Sequence, residues 1–191
     1  MSPTKALVSG AFATGKTTLV RGLVNRFCQE RINAVEIVDC ARKCPFPLNR
    51  DQTLIASAWL IGEQIRSETA ATRTNPHVIL CDRGVPDILS HTFQNRPHQE
   101  RQSTLLNIIQ DLALAWSKTY DLVFWATIDP KNPIQEDELR ITDKQYQADL
   151  QHSLRKAFSA LRIAPVKLPR KTEDRIDTII KRVVEWREHR T

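Results

Sequence analysis

The first apolar run of the chain, residues 5–9, reads as a short buried strand, and apolar positions at helical spacing follow over residues 18–27. The alternation then repeats. Residues 34–39 form a second strand candidate, and a proline-rich loop follows at 45–49. A long helix is predicted over 51–72, with Asp51 as its cap and Leu54, Ala58, Ile61 and Ile65 as its core stripe. Asn75-Pro76 breaks the chain before the clearest buried strand, residues 77–82. A short helix over 86–93, a polar loop at 94–98 and a helix over 99–118 carrying Leu105, Ile108, Ile109 and Leu112 come next. A fourth strand covers 121–126, and residues 129–142 are polar and acidic, as an exposed loop or lid would be. A helix over 143–161, a strand at 165–168 and a helix over 172–188 complete the pattern, which contains no internal repeat.

Strands alternating with helices predict an α/β protein with a parallel sheet covered on both faces. In such sheets ligands collect at the carboxyl ends of the strands. Ser9-Gly10, Asp39, Asp82-Arg83, residues 127–129 and Pro169-Arg170 all follow strands and are expected to face one crevice.

The most specific chemistry lies directly after the first strand, in Gly10-Ala11-Phe12-Ala13-Thr14-Gly15-Lys16-Thr17, followed by Thr18. This is G-x-x-x-x-G-K-[ST] between a strand and a helix, the place where that motif cradles phosphates. Gly10 and Gly15 are expected to permit turns that aim backbone N–H groups at phosphate oxygens, and the helix start adds its positive dipole end. Lys16 would reach the β- and γ-phosphates, and the Thr17 hydroxyl would ligate Mg²⁺. By average composition the pattern arises by chance in roughly one chain of this size in a hundred. ATP with Mg²⁺ is therefore the expected cofactor set.

Asp82 ends a run of apolar residues and suits Mg²⁺ binding, although an aspartate after a strand also serves as a helix cap. Arg83 can clamp a phosphate or a substrate hydroxyl. Asp87 either faces the same crevice or complements the helix dipole. Asp39 is placed to take a proton from an acceptor hydroxyl, with Arg42 three residues on, or the two form an ordinary surface ion pair. Arg140, in the segment Asp137-Glu138-Leu139-Arg140, suits charge stabilisation by a closing lid or belongs to a solvated charge cluster. Trp59 either walls the substrate pocket, beside Glu63 and Gln64, or packs in the core.

Composition adds limits. With 191 residues, 41% of them hydrophobic, the chain is expected to form one domain with a sufficient core, residues 129–145 serving as its lid. No apolar run is long enough to cross a membrane and residues 1–4 do not resemble a signal peptide, so a cytoplasmic protein is expected. Of the four cysteines, Cys28 and Cys81 fall on core-type positions, and Cys40 and Cys44 lack the partners of a zinc site. The net charge of +6 is scattered, which suits a polyphosphate pocket better than a nucleic-acid surface.

The P-loop, Asp39-x-x-Arg42, Asp82-Arg83-Gly84 and Asp137-x-x-Arg140 together resemble the AAA-type small ATPase and kinase group, which includes nicotinamide riboside kinase-like domains. More distantly the chain is similar to deoxynucleoside and nucleoside monophosphate kinases, although deoxynucleoside kinases usually carry Glu where Asp39 stands. The resemblance implies a P-loop three-layer sandwich with strand order 2-3-1-4-5. It also implies Asp39 as general base, Arg83 as substrate clamp, Arg140 as lid arginine and the loop at Pro169-Arg170-Lys171 against adenine. The function expected is phosphoryl transfer to a hydroxyl of a small nucleoside- or nucleotide-like metabolite, with a homodimer compatible. A regulatory ATPase module with a protein or nucleic-acid partner is the alternative. A GTPase switch is disfavoured by the absence of N-K-x-D after the fourth strand, and a ring motor by the short chain.

Overall fold

The computed structural model describes residues 2–95, 103–129 and 143–190. Five strands form one parallel sheet in the order β2-β3-β1-β4-β5. They are β1 (Thr4–Ser9), β2 (Ala34–Ile37), β3 (Val78–Asp82), β4 (Leu122–Trp125) and β5 (Val166–Lys167). The three strands richest in unbroken apolar sequence occupy the centre, because a central parallel strand is covered on both faces. β1 and β3 are buried along their whole length.

Successive side chains of a strand point to opposite faces, and this splits the core in two. Ala6, Val8, Val78, Leu80 and Phe124 meet Leu19, Leu23 and Phe27 of α1 (Lys16–Gln29) and Ile179 and Val183 of α6 (Thr172–Glu188). Leu7, Ile79 and Cys81 point the other way. They meet α2 (Leu54–Thr72), α3 (Val85–Asn95) and α4 (Thr104–Ser117), together with Ala157 and Leu161 at the end of α5 (Lys144–Ala160). The result is the expected three-layer sandwich. Among the described residues, no helix is long and apolar enough to cross a membrane.

Several local expectations are corrected. Asp51 does not cap α2; it closes a 3₁₀ turn (Asn49–Asp51), and the Thr53 hydroxyl accepts from Ala56 N instead. The α2 stripe is only partly core: Leu54 and Ile61 are buried, whereas Ala58 and Ile65 pack at its margin. α3 runs on to Asn95, through residues expected as loop. Ser103 caps α4, and the start expected for that helix at 99 lies outside the described residues. α4 buries Leu106, Ile109 and Ala113 and exposes Leu105, Ile108 and Leu112. Two apolar stripes run along that helix, and the sequence cannot rank them without knowing its neighbour. Cys28 is exposed and Cys81 buried.

Candidate active site

The loop between β1 and α1 carries the strongest signal, and its two glycines act differently. Gly15 takes φ +79° at the N-terminus of α1, and Ala13 is also left-handed at φ 57°. Gly10 is not left-handed; a Cβ there would lie 2.3 Å from the Ala126 carbonyl oxygen at the end of β4. The first glycine is thus required by close backbone approach and the second by conformation. Lys16 and Thr17 form the first turn of α1, two residues earlier than the periodicity suggests. Lys16 is 4% exposed, and its ammonium donates to the carbonyls of Gly10 at 2.7 Å and Ala11 at 2.6 Å. Burial, reinforced by Arg83, lowers its pKa to about 7, against the pull of Asp87, Asp82 and Asp39.

Thr17 and Asp82 meet across the cleft, with the hydroxyl donating to Asp82 Oδ2 at 2.5 Å. Asp82 Oδ1 is buried and has no hydrogen-bond partner among the described residues. An orphaned carboxylate oxygen beside a hydroxyl fits Mg²⁺, which binds hard oxygen ligands and keeps several from water and phosphate. Among the described residues no group of three or more His, Cys, Asp or Glu could hold a metal, so such an ion would draw most of its ligands from phosphate and water.

Strand register builds the other side. β2 and β3 are parallel with Ile37 beside Cys81. Two residues further on, Asp39 and Arg83 stand side by side, and Arg83 Nε forms an ion pair with Asp39 Oδ2 at 2.8 Å. The Asp39 side chain also accepts from Ala41 N, capping the 3₁₀ turn Cys40–Lys43. Burial opposes the charge of Arg83, but Asp39, Asp87 and Asp82 together hold its pKa above the ordinary value. Arg42 lines the same cleft, and among the described residues the ion pair of Asp39 is with Arg83.

Asp87 occupies both of the positions weighed for it. It lies in the first turn of α3 and lines the cleft at 2% exposure. Its carboxylate accepts from the Ser9 hydroxyl at 2.8 Å, Gly10 N at 3.0 Å and Gly84 N at 3.1 Å. Burial raises its pKa despite Arg83 and Lys16. Asp87 thereby ties the P-loop entrance to the turn that carries Arg83.

The cleft of about 530 Å³ runs from Thr14, Gly15, Lys16, Thr17 and Thr18 to Asp39 and Arg83. Its far wall holds residues that motif reading did not single out: His91, Gln52, Leu60 and Ile88. Burial, with help from Arg83 and Lys16, drives the His91 imidazole down to about 3, so it is neutral. Phe12 of the P-loop stacks on Tyr146 of α5 at 6.2 Å, and Gln147 donates to the Phe12 carbonyl at 2.7 Å. Arg175 of α6 donates to the carbonyls of Thr14 and Pro169, each at 2.7 Å. No short-range pattern reports the contacts of Phe12 with Tyr146 and Gln147 or of Arg175 with Thr14, because each joins elements far apart in sequence.

The AAA domain family profile matches residues 5–175, from the first residues of β1 to α6. The chain belongs to the AAA domain family. No curated protein matches it in sequence. This AAA domain is similar in fold to a deoxyadenosine kinase from M. mycoides with products dCMP and a flexible dCDP bound. That match has TM-score 0.68 and 13% identity, and covers 95% of this chain and 100% of that one. The same kinase with dATP bound gives TM-score 0.69 at 12% identity over 94% and 98% of the two chains. NadR protein in complex with NAD and AMP-PNP gives TM-score 0.68 at 18% identity, over 96% of this chain and 49% of NadR.

Not every expected site residue of the AAA domain reaches the cleft. Trp59 packs at the edge of the core on the α2 side and does not line it. Arg170 is exposed in the loop before α6, and it too lies off the cleft lining, as do residues 127–129. Arg140 and most of the 129–145 lid lie outside the described residues. Gly10 and Ala11 shape the P-loop from beneath rather than lining the cleft.

Proposed function

We propose that the protein is an ATP-dependent kinase that transfers the γ-phosphoryl group to a hydroxyl of a small, nucleoside-like acceptor. The observation that carries this is the Asp39–Arg83 ion pair, held at 2.8 Å in the same cleft as Lys16, Thr17 and Asp82. A nucleotide-binding module needs only the P-loop side; a carboxylate with an arginine facing that loop supplies a place for a second substrate. The fold shared with the M. mycoides deoxyadenosine kinase supports the choice of acceptor class.

In the proposed reaction the P-loop N–H groups and Lys16 hold the triphosphate, and Arg83 orients the acceptor. The acceptor oxygen forms its bond to the γ-phosphorus as the bond to the β–γ bridging oxygen breaks. The departing electron pair stays on ADP, and the hydroxyl proton passes to Asp39. Little covalent chemistry is asked of the protein, so alignment and charge carry most of the acceleration. Mg²⁺, held by Thr17 and Asp82, would neutralise charge on the phosphates. Binding ATP requires Lys16 to exchange its two carbonyl partners for phosphate oxygens.

The test is ADP release from ATP–Mg²⁺ with and without a panel of nucleosides, nucleotides and sugars. Release that depends on a nucleoside supports the kinase. Slow release indifferent to every acceptor overturns it in favour of an ATPase module.

A further inference from the structure

Arg83 holds its place against its own backbone preference. It sits at φ +73°, in the left-handed region that a residue with a long side chain seldom adopts, and such a conformation persists only where its surroundings impose it. The turn 83–85 is gripped from several sides. Arg83 N donates to the Val8 carbonyl at 3.1 Å, and Gly84 N to Asp87. The Arg83 carbonyl accepts from Gln64 Nε2 at 3.3 Å, and Val85 N donates to the Tyr120 hydroxyl at 3.3 Å. That hydroxyl lies so near that a Cβ on Gly84 would come within 2.6 Å of it.

Both of the last two groups are oriented by one carboxylate. Glu68 of α2 has no exposure and lies off the cleft lining. Its Oε1 accepts from Gln64 Nε2 and from the Tyr120 hydroxyl, each at 2.8 Å. Its Oε2 accepts from Lys5 Nζ at 2.9 Å and Trp116 Nε1 at 2.8 Å. A tyrosine hydroxyl has one proton. Because Glu68 takes that proton, a lone pair faces the Val85 N–H. Likewise Gln64 must present its amide nitrogen to Glu68, which leaves the second N–H for the Arg83 carbonyl. We infer that Glu68 is a positioning residue for Arg83, fixing the proton of Tyr120 and the amide of Gln64 so that the turn holds the guanidinium against Asp39. The inference deepens the kinase proposal and rests on it for the role of Arg83.

The experiment reads the Arg83 Nε–H resonance in arginine-¹⁵N-labelled full chain, assigned with Arg83→Lys, without nucleotide or acceptor. Tyr120→Phe removes one hydroxyl and leaves the Glu68–Lys5 pair; it should speed exchange of the Arg83 Nε–H with water at least tenfold. Trp116→Phe removes a donor from the other oxygen of the same carboxylate, away from the turn, and should leave that exchange within twofold of wild type. Glu68→Gln combined with Lys5→Met, which avoids stranding the ammonium, should match or exceed the Tyr120→Phe effect. In turnover with ATP–Mg²⁺ and deoxyadenosine or deoxycytidine, Tyr120→Phe should change kcat or the acceptor KM tenfold with the KM for ATP unmoved. Unchanged exchange in Tyr120→Phe, or equal change in Trp116→Phe, overturns the inference. The predicted exchange pattern with no acceptor-dependent turnover in wild type leaves Glu68 positioning Arg83 and overturns only the kinase proposal.

Discussion

Arg175→Met is the sharpest structural perturbation of the nucleotide side, because it keeps the aliphatic stem and removes only the guanidinium. Arg175 is 6% exposed and spans two loops, donating Nη1 to the Thr14 carbonyl and Nε to the Pro169 carbonyl at 2.7 Å each. Hydrogen bonds from a charged group are worth about 1.5–3 kcal/mol each, so the gross loss is about 3–6 kcal/mol. Part is returned, since burial disfavours the buried cation and holds its pKa below the ordinary value, with Asp129 opposing. The expected net loss is about 2–3 kcal/mol, or about 4–12 °C in Tm for a chain of this size. Urea unfolding and thermal melts measure it. The P-loop apex also loses its anchor at Thr14, so the Tm increase caused by ATP–Mg²⁺ should shrink as well. Arg175→Lys should recover little, because a lysine cannot span both carbonyls as the planar fork does. Stability within about 0.5 kcal/mol of wild type, the range of ordinary surface changes, would refute the reasoning.

Four further outcomes are expected. Lys16→Ala should fold but lose thermal stabilisation by ATP–Mg²⁺, worth about 2.7 kcal/mol at one hundred times the dissociation constant; an undiminished shift contradicts the phosphate role. Asp82→Asn should still bind nucleotide while turnover falls by orders of magnitude, and full activity would leave Asp82 no metal role. Asp39→Asn should slow the chemical step about 10²–10⁴-fold in single turnover with ATP affinity retained. Glu36→Gln should not, because Glu36 lies within β2 and off the cleft lining; the reverse result reassigns the base. His91 has a folded pKa of about 3 against about 6.5 unfolded. The unfolded chain therefore binds more protons in that window, and stability falls as pH drops through 6.5 towards 3. Between pH 6.5 and 5 this amounts to at most about 2 kcal/mol. His91→Gln should flatten that slope in urea midpoints, and an unchanged slope contradicts the burial argument.

What was legible in the sequence was local. The strand, P-loop and helix at residues 4–29 are contiguous, so their motif and their contacts coincide. Strand identity along the chain was equally readable, because buried parallel strands are unbroken apolar runs. Pairings between elements were not. Asp39 reads most readily with Arg42, three residues on, and nothing in the sequence reports that the β2–β3 register also brings it beside Arg83. The buried faces of α2 and α4 differ from their apolar periodicity for a related reason. The buried side of α2 includes Gln64 and Glu68, polar residues whose partners come from the turn after β3, from β1 and from the end of α4. Periodicity counts apolar residues and is blind to a buried carboxylate satisfied by four donors.

The central claim is that a phosphoryl group leaves ATP for a hydroxyl, and mass spectrometry of the acceptor tests it most directly. Purified protein is incubated with ATP–Mg²⁺ and each nucleoside of the panel, beside an Asp39→Asn control. The account predicts that at least one nucleoside gains a single phosphoryl group in step with ADP formed, and that the control forms product about 10²–10⁴-fold more slowly. ADP accompanied only by inorganic phosphate, with every acceptor recovered unchanged, would contradict it.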